Sequence, residues 1–274
     1  MQSIQTNPAS KGTKRKPNLA KDAGWILLSI GAALLLLSII YSSSIPAFIG
    51  LGLVFWGIIL SYIQNEQYVK EPIFEATAMS SIATLDQMIQ EMGYAGKAVY
   101  LSPRYFKNPE AGKAYIPKQK EGQLPTPEQI QNQETRVFIE SPQGILVTPP
   151  GAELTKLFER NLGISFTRVD MTYVEQKLPK LLVEDLEIAQ EVQIKIEGSK
   201  ITIDTKDSVY KNLSIETKRF PNVYNSLGSP LSSAFACALA KATGKPIIIE
   251  NETASEDGKS TKIEYRAISE EQKT

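Results

Sequence analysis

Few residues in this chain could do chemistry, and their spacing narrows the choice further. Histidine is absent from all 274 residues. That removes the usual neutral-pH general base and the commonest zinc ligand. The single cysteine, Cys237, rules out an intrachain disulfide and a cysteine-built metal cluster within one chain. It reads as a small core residue. Glu184, Asp185 and Glu187 form an acidic cluster without a second ligand set, which reads as a solvated face. The segment Leu227-Gly228-Ser229-Pro230-Leu231-Ser232-Ser233 gathers hydroxyls at a helix start. Free N–H groups collect there too, so Ser229, Ser232 and Ser233 are the candidate contacts for an anion or ligand. Ordinary helix capping accounts for the same residues. Nucleophilic catalysis by Ser232 or Ser233 would need a base that the composition does not offer. No phosphate-binding loop, dinucleotide glycine fingerprint or nucleophile elbow is present. The expectation is therefore no catalytic, cofactor or metal residue.

The elements that would position these residues begin with two apolar runs. Trp25–Tyr41 is an uncharged stretch of 17 residues and Ile45–Ile63 one of 19. Each spans roughly 26–29 Å as a helix, close to the hydrocarbon core of a bilayer. The serine connector is too short for a domain, so the runs form an antiparallel hairpin. Trp25 and Tyr62 would sit at one interface and Tyr41 at the other. Small residues recur at Gly24, Gly31 and Ser38, and at Gly50, Gly57 and Ser61. Such stripes allow close backbone approach, and the two are expected to face each other as the helix-packing contact. No charge interrupts either run, which argues against transport or proton relay by the hairpin. The first run also has the features of a signal peptide, but its length and the immediate second span favour a retained anchor.

Charge sets the expected topology. Lys11, Lys14, Arg15, Lys16 and Lys21 face one acid, Asp22, in residues 1–24. The remainder holds 25 basic and 29 acidic residues, a net of −4. A basic tail stays in the cytoplasm, and an even number of spans returns the C-terminus there. The expected location is the cell membrane, two spans, both termini cytoplasmic, with the lipid bilayer as a partner. A mildly acidic domain excludes nucleic acid as the natural ligand.

Beyond the hairpin, residues 64–101 read as an amphipathic helix over 73–92, with Ile82, Leu85, Ile89 and Met92 in its stripe, then a short strand at Lys97–Leu101. Residues 102–134 lose periodicity around five prolines and read as a long loop. Residues 135–268 are expected to form a soluble α+β domain. It is an antiparallel sheet built of hairpins with helices packed on it, followed by a polar tail at 269–274. Arg136–Glu140 and Ile145–Thr148 flank Ser141-Pro142-Gln143-Gly144, whose proline and glycine positions suit a type I turn. Residues 152–161 form a helix with Leu154, Leu157 and Phe158 on one face. Thr172 with Glu175 makes a capping box for the next helix, and Pro179 should kink it. Gly198-Ser199 turns a hairpin over Glu191–Thr205 that pairs Glu197 with Lys200, Ile196 with Ile201 and Ile194 with Ile203. Helical sequence covers about Ser208–Lys218. Ser229 caps a helix that begins at Pro230 and stops at Gly244. Its alanines leave no solvent face, so it should be the centre of the domain. Strands at Pro246–Glu250 and Lys262–Ile268 close the chain, with Asp257-Gly258 in their turn.

From residue 151 this order is helix, helix, hairpin, helix, helix, hairpin. It resembles the fold shared by TRAPP tethering-complex subunits and vinyl-reductase-type ligand-binding domains, over Val192–Asp204 and Gly228–Ile268. The resemblance implies a ligand pocket or a dimer. The wording GILVTPPG, LPKLLVEDLEIA and LGSPLSSAFACALAKATGKP also resembles uncharacterised archaeal two-span membrane proteins. That second likeness implies a topology and no activity. The leading functional expectation is a membrane-anchored scaffold that holds a protein partner or a second copy of itself. A membrane-tethered small-molecule sensor is the first alternative, and a histidine-independent carboxylate or metal-dependent enzyme is the second.

Overall fold

A computed structural model describes residues 19–41, 43–62, 71–107, 112–120, 122–133, 136–255 and 259–268. The basic residues before 19, the Asp257-Gly258 turn and the polar tail lie outside the described residues. The chain divides into two compact units, residues 1–69 and 70–274.

The first unit is a pair of helices, α1 (Leu19–Tyr41) and α2 (Ser44–Tyr62). Both are long and apolar enough to cross a membrane, over Ala23–Tyr41 and Ser44–Ser61. Gly24, Gly31, Gly50 and Gly57 are buried and face each other across the pair. A Cβ on Gly31 would lie 2.9 Å from the Gly50 carbonyl, and one on Gly57 3.0 Å from the Gly24 carbonyl. Ser61 packs against Gly24, while the Ser38 hydroxyl donates to the Ser43 carbonyl at 2.7 Å. Large apolar side chains, such as Trp25, Ile39, Phe48 and Phe55, cover the outside of the pair.

The second unit begins with α3 (Glu71–Glu91) and carries eight antiparallel strands. They are β1 (Val99–Tyr100), β2 (Ala114–Pro117), β3 (Phe138–Ile139), β4 (Gly144–Val147), β5 (Glu191–Glu197), β6 (Lys200–Lys206), β7 (Ile247–Ala254) and β8 (Ser260–Ala267). The sheet order is β3-β4-β2-β1-β7-β8-β6-β5. The remaining helices are α4 (Pro127–Gln131), α5 (Ala152–Leu162), α6 (Met171–Lys180), α7 (Lys211–Thr217), α8 (Pro221–Leu227) and α9 (Pro230–Thr243). One main core lies between the sheet and α3, α5, α6, α8 and α9. A smaller cluster, Val99, Leu101, Tyr105, Phe106, Tyr115, Ile130, Ile139 and Leu146, packs around β1, β2 and β4 and includes α4.

Several expectations meet their elements. The β5–β6 register pairs Glu197 with Lys200, Ile196 with Ile201 and Ile194 with Ile203. In α9, Ser229 is the N-cap and accepts from the Ser232 N–H, Pro230 opens the helix, and Gly244 ends it at φ +64°. Every residue from Pro230 to Lys241 is buried.

Other expectations need correction. The stretch 102–134 is not one long loop. It holds a 3-10 turn at Pro103–Tyr105, strand β2 and helix α4 with its Thr126/Gln129 capping box. Strand β2 is buried at all four positions, so no polar/apolar alternation marked it. Strands β1 and β2 sit in the middle of the sheet and bridge its two halves, so the folded domain extends well before residue 135. The turn before β4 has a cis Ser141–Pro142 peptide, which a type I turn does not contain. Asp170, and not Thr172, caps α6 by accepting from the Tyr173 N–H at 2.9 Å. Pro179 lies inside α6, and the chain continues as a π-helical turn over Leu181–Asp185. Helix α8, bounded by Pro221 at its start and Gly228 just past its end, is absent from the sequence expectations. Its N-terminus is capped from outside by Asp86 of α3, which accepts from the Val223 N–H (2.9 Å) and the Asn222 amide (3.0 Å).

Candidate functional site

Two concave regions of the α+β domain gather most of the informative side chains. The first grows from the way α5 meets α9. Gly151, just before α5, donates its N–H to the Ser233 hydroxyl at 3.0 Å. The Thr155 hydroxyl reaches the Ala234 carbonyl at 2.9 Å. A Cβ on Gly151 would fall 2.0 Å from the Ala234 nitrogen, so only glycine permits this crossing. Phe158 stacks on Phe235 with ring centroids 6.5 Å apart. With that face of α5 committed, the adjacent face presents Leu154 and Leu157, which are only half-buried. Helix α3 divides its stripe in the same way. Ile82 and Ile89 enter the core, while Leu85 and Met88 stay half-buried.

Between these faces lies a groove of about 810 Å³. Its walls are Ile82, Leu85 and Met88 from α3 and Leu154 and Leu157 from α5, with Val147, Leu213 and Pro230 completing it. The charged and phenolic groups are Lys113, Glu153, Arg160 and Tyr210, and Ser81, Thr84 and Thr148 add hydroxyls. Glu153 is paired with Lys156 at 2.6 Å. The volume and the apolar lining with a few charged groups match those of small-molecule sites. Burial pushes the Tyr210 phenol above its ordinary value.

The second region surrounds the start of α9. The position that an external anion would take at this helix start is held by the chain's own Glu252. Its Oε2 accepts from the Ser229 N–H (3.0 Å) and the Ser232 hydroxyl (2.6 Å). Glu252 thus completes a capping box in which strand β7 supplies the acid. Two features let it do so. A bulge in β7 skips Glu250 between the pairs Ile249/Tyr265 and Asn251/Glu264, and so turns Glu252 onto the face of its partner Ile263. Gly228, at φ +71°, leaves room: a Cβ there would lie 3.0 Å from the carboxylate and 2.6 Å from the Ser232 hydroxyl. A polar cleft of about 700 Å³ opens beside Glu252.

The sequence candidates divide accordingly. Ser229 and Ser232 are brought together on Glu252, and Ser233 faces the other way, onto Gly151. All three are buried. Cys237 is buried in α9, and burial pushes its thiol up to about 12. Glu184, Asp185 and Glu187 are exposed, and among the described residues no group of three or more metal-ligating side chains occurs. Sequence reasoning missed Glu252, one of two acids in a strand whose bulge leaves no trace in residue types. It also missed the groove, since Leu85 and Leu154 have the spacing of ordinary core positions.

These features define a class of protein. It is an α+β domain with an eight-stranded antiparallel sheet and an apolar groove, preceded in the chain by a hairpin of two apolar helices. Residues 10–266 match the model of a family described as Domain of unknown function (DUF7982), and the chain belongs to that family. No curated protein and no solved structure matches it.

Proposed function

We propose that this chain is a membrane-anchored, non-catalytic binding protein whose groove holds an apolar single-chain amphiphile with an anionic end. Helices α1 and α2 serve as the anchor, with both termini in the cytoplasm. The observation that carries the reading is the groove of about 810 Å³ with its lining of Ile82, Leu85, Met88, Leu154 and Leu157. Burying an alkyl chain there would release apolar surface from water at about 25 cal/mol per Å². Arg160 and Lys113 line the same groove and supply positive charge for a carboxylate or phosphate head. The groove moves the balance from the scaffold reading to the sensor reading. A tethered domain of this kind would report on, or present, molecules that partition into membranes.

The test is photolabelling of the full-length protein in lipid nanodiscs with a diazirine fatty acid, followed by peptide mapping. Saturable labels on Ile82–Met88 and Leu154–Leu157 are expected, and they should be competed by unlabelled fatty acid. Labels confined to residues 19–62 would contradict the reading.

A second reading keeps the scaffold role. Phe138 and Val137 are exposed on or beside the edge strand β3, and Val137 also lines the groove. An apolar edge beside an apolar groove suits a docked protein segment. Photocrosslinking from position 138 in native membranes would then trap a protein partner or a second copy of the chain.

A further inference from the structure

The eight-stranded sheet ends in two unequal edges. Edge β3 has two residues, too short to template another chain. Edge β5 has seven, and all seven pair with β6 without a bulge. It contains no proline, and its core-side positions Val192, Ile194 and Ile196 are all apolar. Ile196 stays half-buried. A strand that is long, regular and free of inward charges is the kind that accepts a further strand. We infer that β5 docks a second copy of this chain, edge to edge and antiparallel, on a twofold axis at Gln193.

The charges on the solvent side select the occupant and the register. Glu191, Gln193, Lys195 and Glu197 lie on that side of β5, and Lys206, Asp204, Thr202 and Lys200 stand opposite them on β6. Three acids and three bases leave this two-strand face neutral, so two copies meet without net repulsion. A twofold pairing must keep like faces together, or apolar residues would turn to water. Three registers do so while overlapping at least five residues of β5. Centring on Ile194 sets Glu191 against Glu197 twice. Centring on Lys195 sets the two lysines against each other. Centring on Gln193 sets Glu191 against Lys195 twice, and Val192 against Ile194 twice on the core side. Opposite charges directly across two strands stabilise them, and like charges do the reverse. The strand is therefore complementary to itself in one of these registers and penalised in the other two.

Both members of the cross pair are free to make it. Lys195 is exposed, and among the described residues no hydrogen bond or ion pair occupies it. Glu191 receives Lys206 on one carboxylate oxygen at 2.6 Å and the Gln193 amide on the other at 2.5 Å. Each carboxylate oxygen can accept a second donor. The apolar groove takes no part, because β5 lies at the end of the sheet away from β4, whose Val147 lines the groove. The inference is thus independent of the amphiphile reading.

The experiment uses the full-length protein in detergent, with light scattering during size exclusion and mild oxidation of single-cysteine variants. Particles should contain two chains. Gln193→Cys should cross-link to itself, because directly opposed Cα atoms lie about 4.5–5.5 Å apart, within disulfide reach. Lys195→Cys should not, since its two copies would stand about 13 Å apart along the strands. The unsubstituted chain is the control, as its Cys237 is buried. Lys195→Glu and Glu191→Lys should each weaken the dimer about tenfold or more. Mixing the two variants should restore it, because one chain then carries acids at both positions and the other carries bases. Misfolding would not be rescued in this way, and if either reversal unfolds the domain the cysteine variants decide. Monomers at every concentration, dimers that neither reversal weakens, or cross-linking of Lys195→Cys in place of Gln193→Cys would overturn the inference. Photolabelling of the apolar groove is unaffected by any of these results.

Discussion

At the residue scale, the surroundings of α9 hold one largely buried ion pair and three buried groups that stay protonated. Lys241 and Glu159 are both largely buried and meet at 2.8 Å. The other Glu159 oxygen accepts from the Ser165 hydroxyl (2.7 Å) and the Phe166 N–H (2.9 Å). Removing one partner strands a buried charge. Lys241→Ala should therefore cost about 3–5 kcal/mol in a denaturant melt. The double variant with Glu159→Gln should recover part of that loss.

Cys237, Tyr100 and Tyr265 are the neutral case. Burial pushes the thiol up to about 12 and lifts both phenols well above their ordinary range. The Tyr100 hydroxyl donates to the Leu227 carbonyl (2.6 Å) and that of Tyr265 to the Ser232 carbonyl (3.0 Å). The folded state thus holds these protons more tightly than the unfolded state does. Their contribution is fully present below about pH 9, the ordinary range of these groups, and is lost as pH rises toward the folded values. Stability should fall steeply between about pH 9 and 12. Cys237 should resist maleimide at pH 8 and react only on unfolding. Rapid native labelling would place the thiol elsewhere.

At the element scale, α9 is the structural centre, and three substitutions measure that. Phe235 is fully buried against Phe158, so Phe235→Ala should cost about 3–5 kcal/mol. Ala238 is also fully buried, and Ala238→Leu should cost about 1–3 kcal/mol by overpacking. Gly151→Ala should be as damaging as either, because the new methyl would meet the α9 backbone. Thermal melts with size-exclusion profiles check all three. A split dimer with an unchanged monomer melt would instead make α9 an interface.

The legibility of each element follows from how locally it is specified. The β5–β6 hairpin could be registered from sequence because a two-residue turn and an alternating strand carry the same message. Helix α9 announces itself through Ser229, Pro230 and Gly244. Strand β2 hides because it is short, buried throughout and ends on a proline. Helix α8 carries only Pro221 and Gly228 as local marks, because its side-chain cap, Asp86, lies 137 residues from the N–H that it satisfies. The groove is a property of spacing between α3 and α5, and periodicity cannot tell a residue that fills a core from one that lines an opening.

At the scale of the whole molecule, topology and ligand remain to be joined by experiment. A cysteine placed near residue 270 should stay unlabelled by an impermeant reagent in intact cells and become labelled after lysis. Cys237 contributes little background because it is buried. Labelling from outside would put the α+β domain on the other side of the membrane.

The central claim is that the groove holds an amphiphile. Native mass spectrometry of the full-length protein, released from detergent after purification from its own membranes, tests it most directly. The account expects one retained adduct per chain with the mass of a single-chain amphiphile. It also expects the adduct to vanish in Leu157→Glu, which sets a charge in the apolar wall while the fold survives by circular dichroism. A well-folded protein without an adduct, or an adduct that Leu157→Glu leaves untouched, would contradict it.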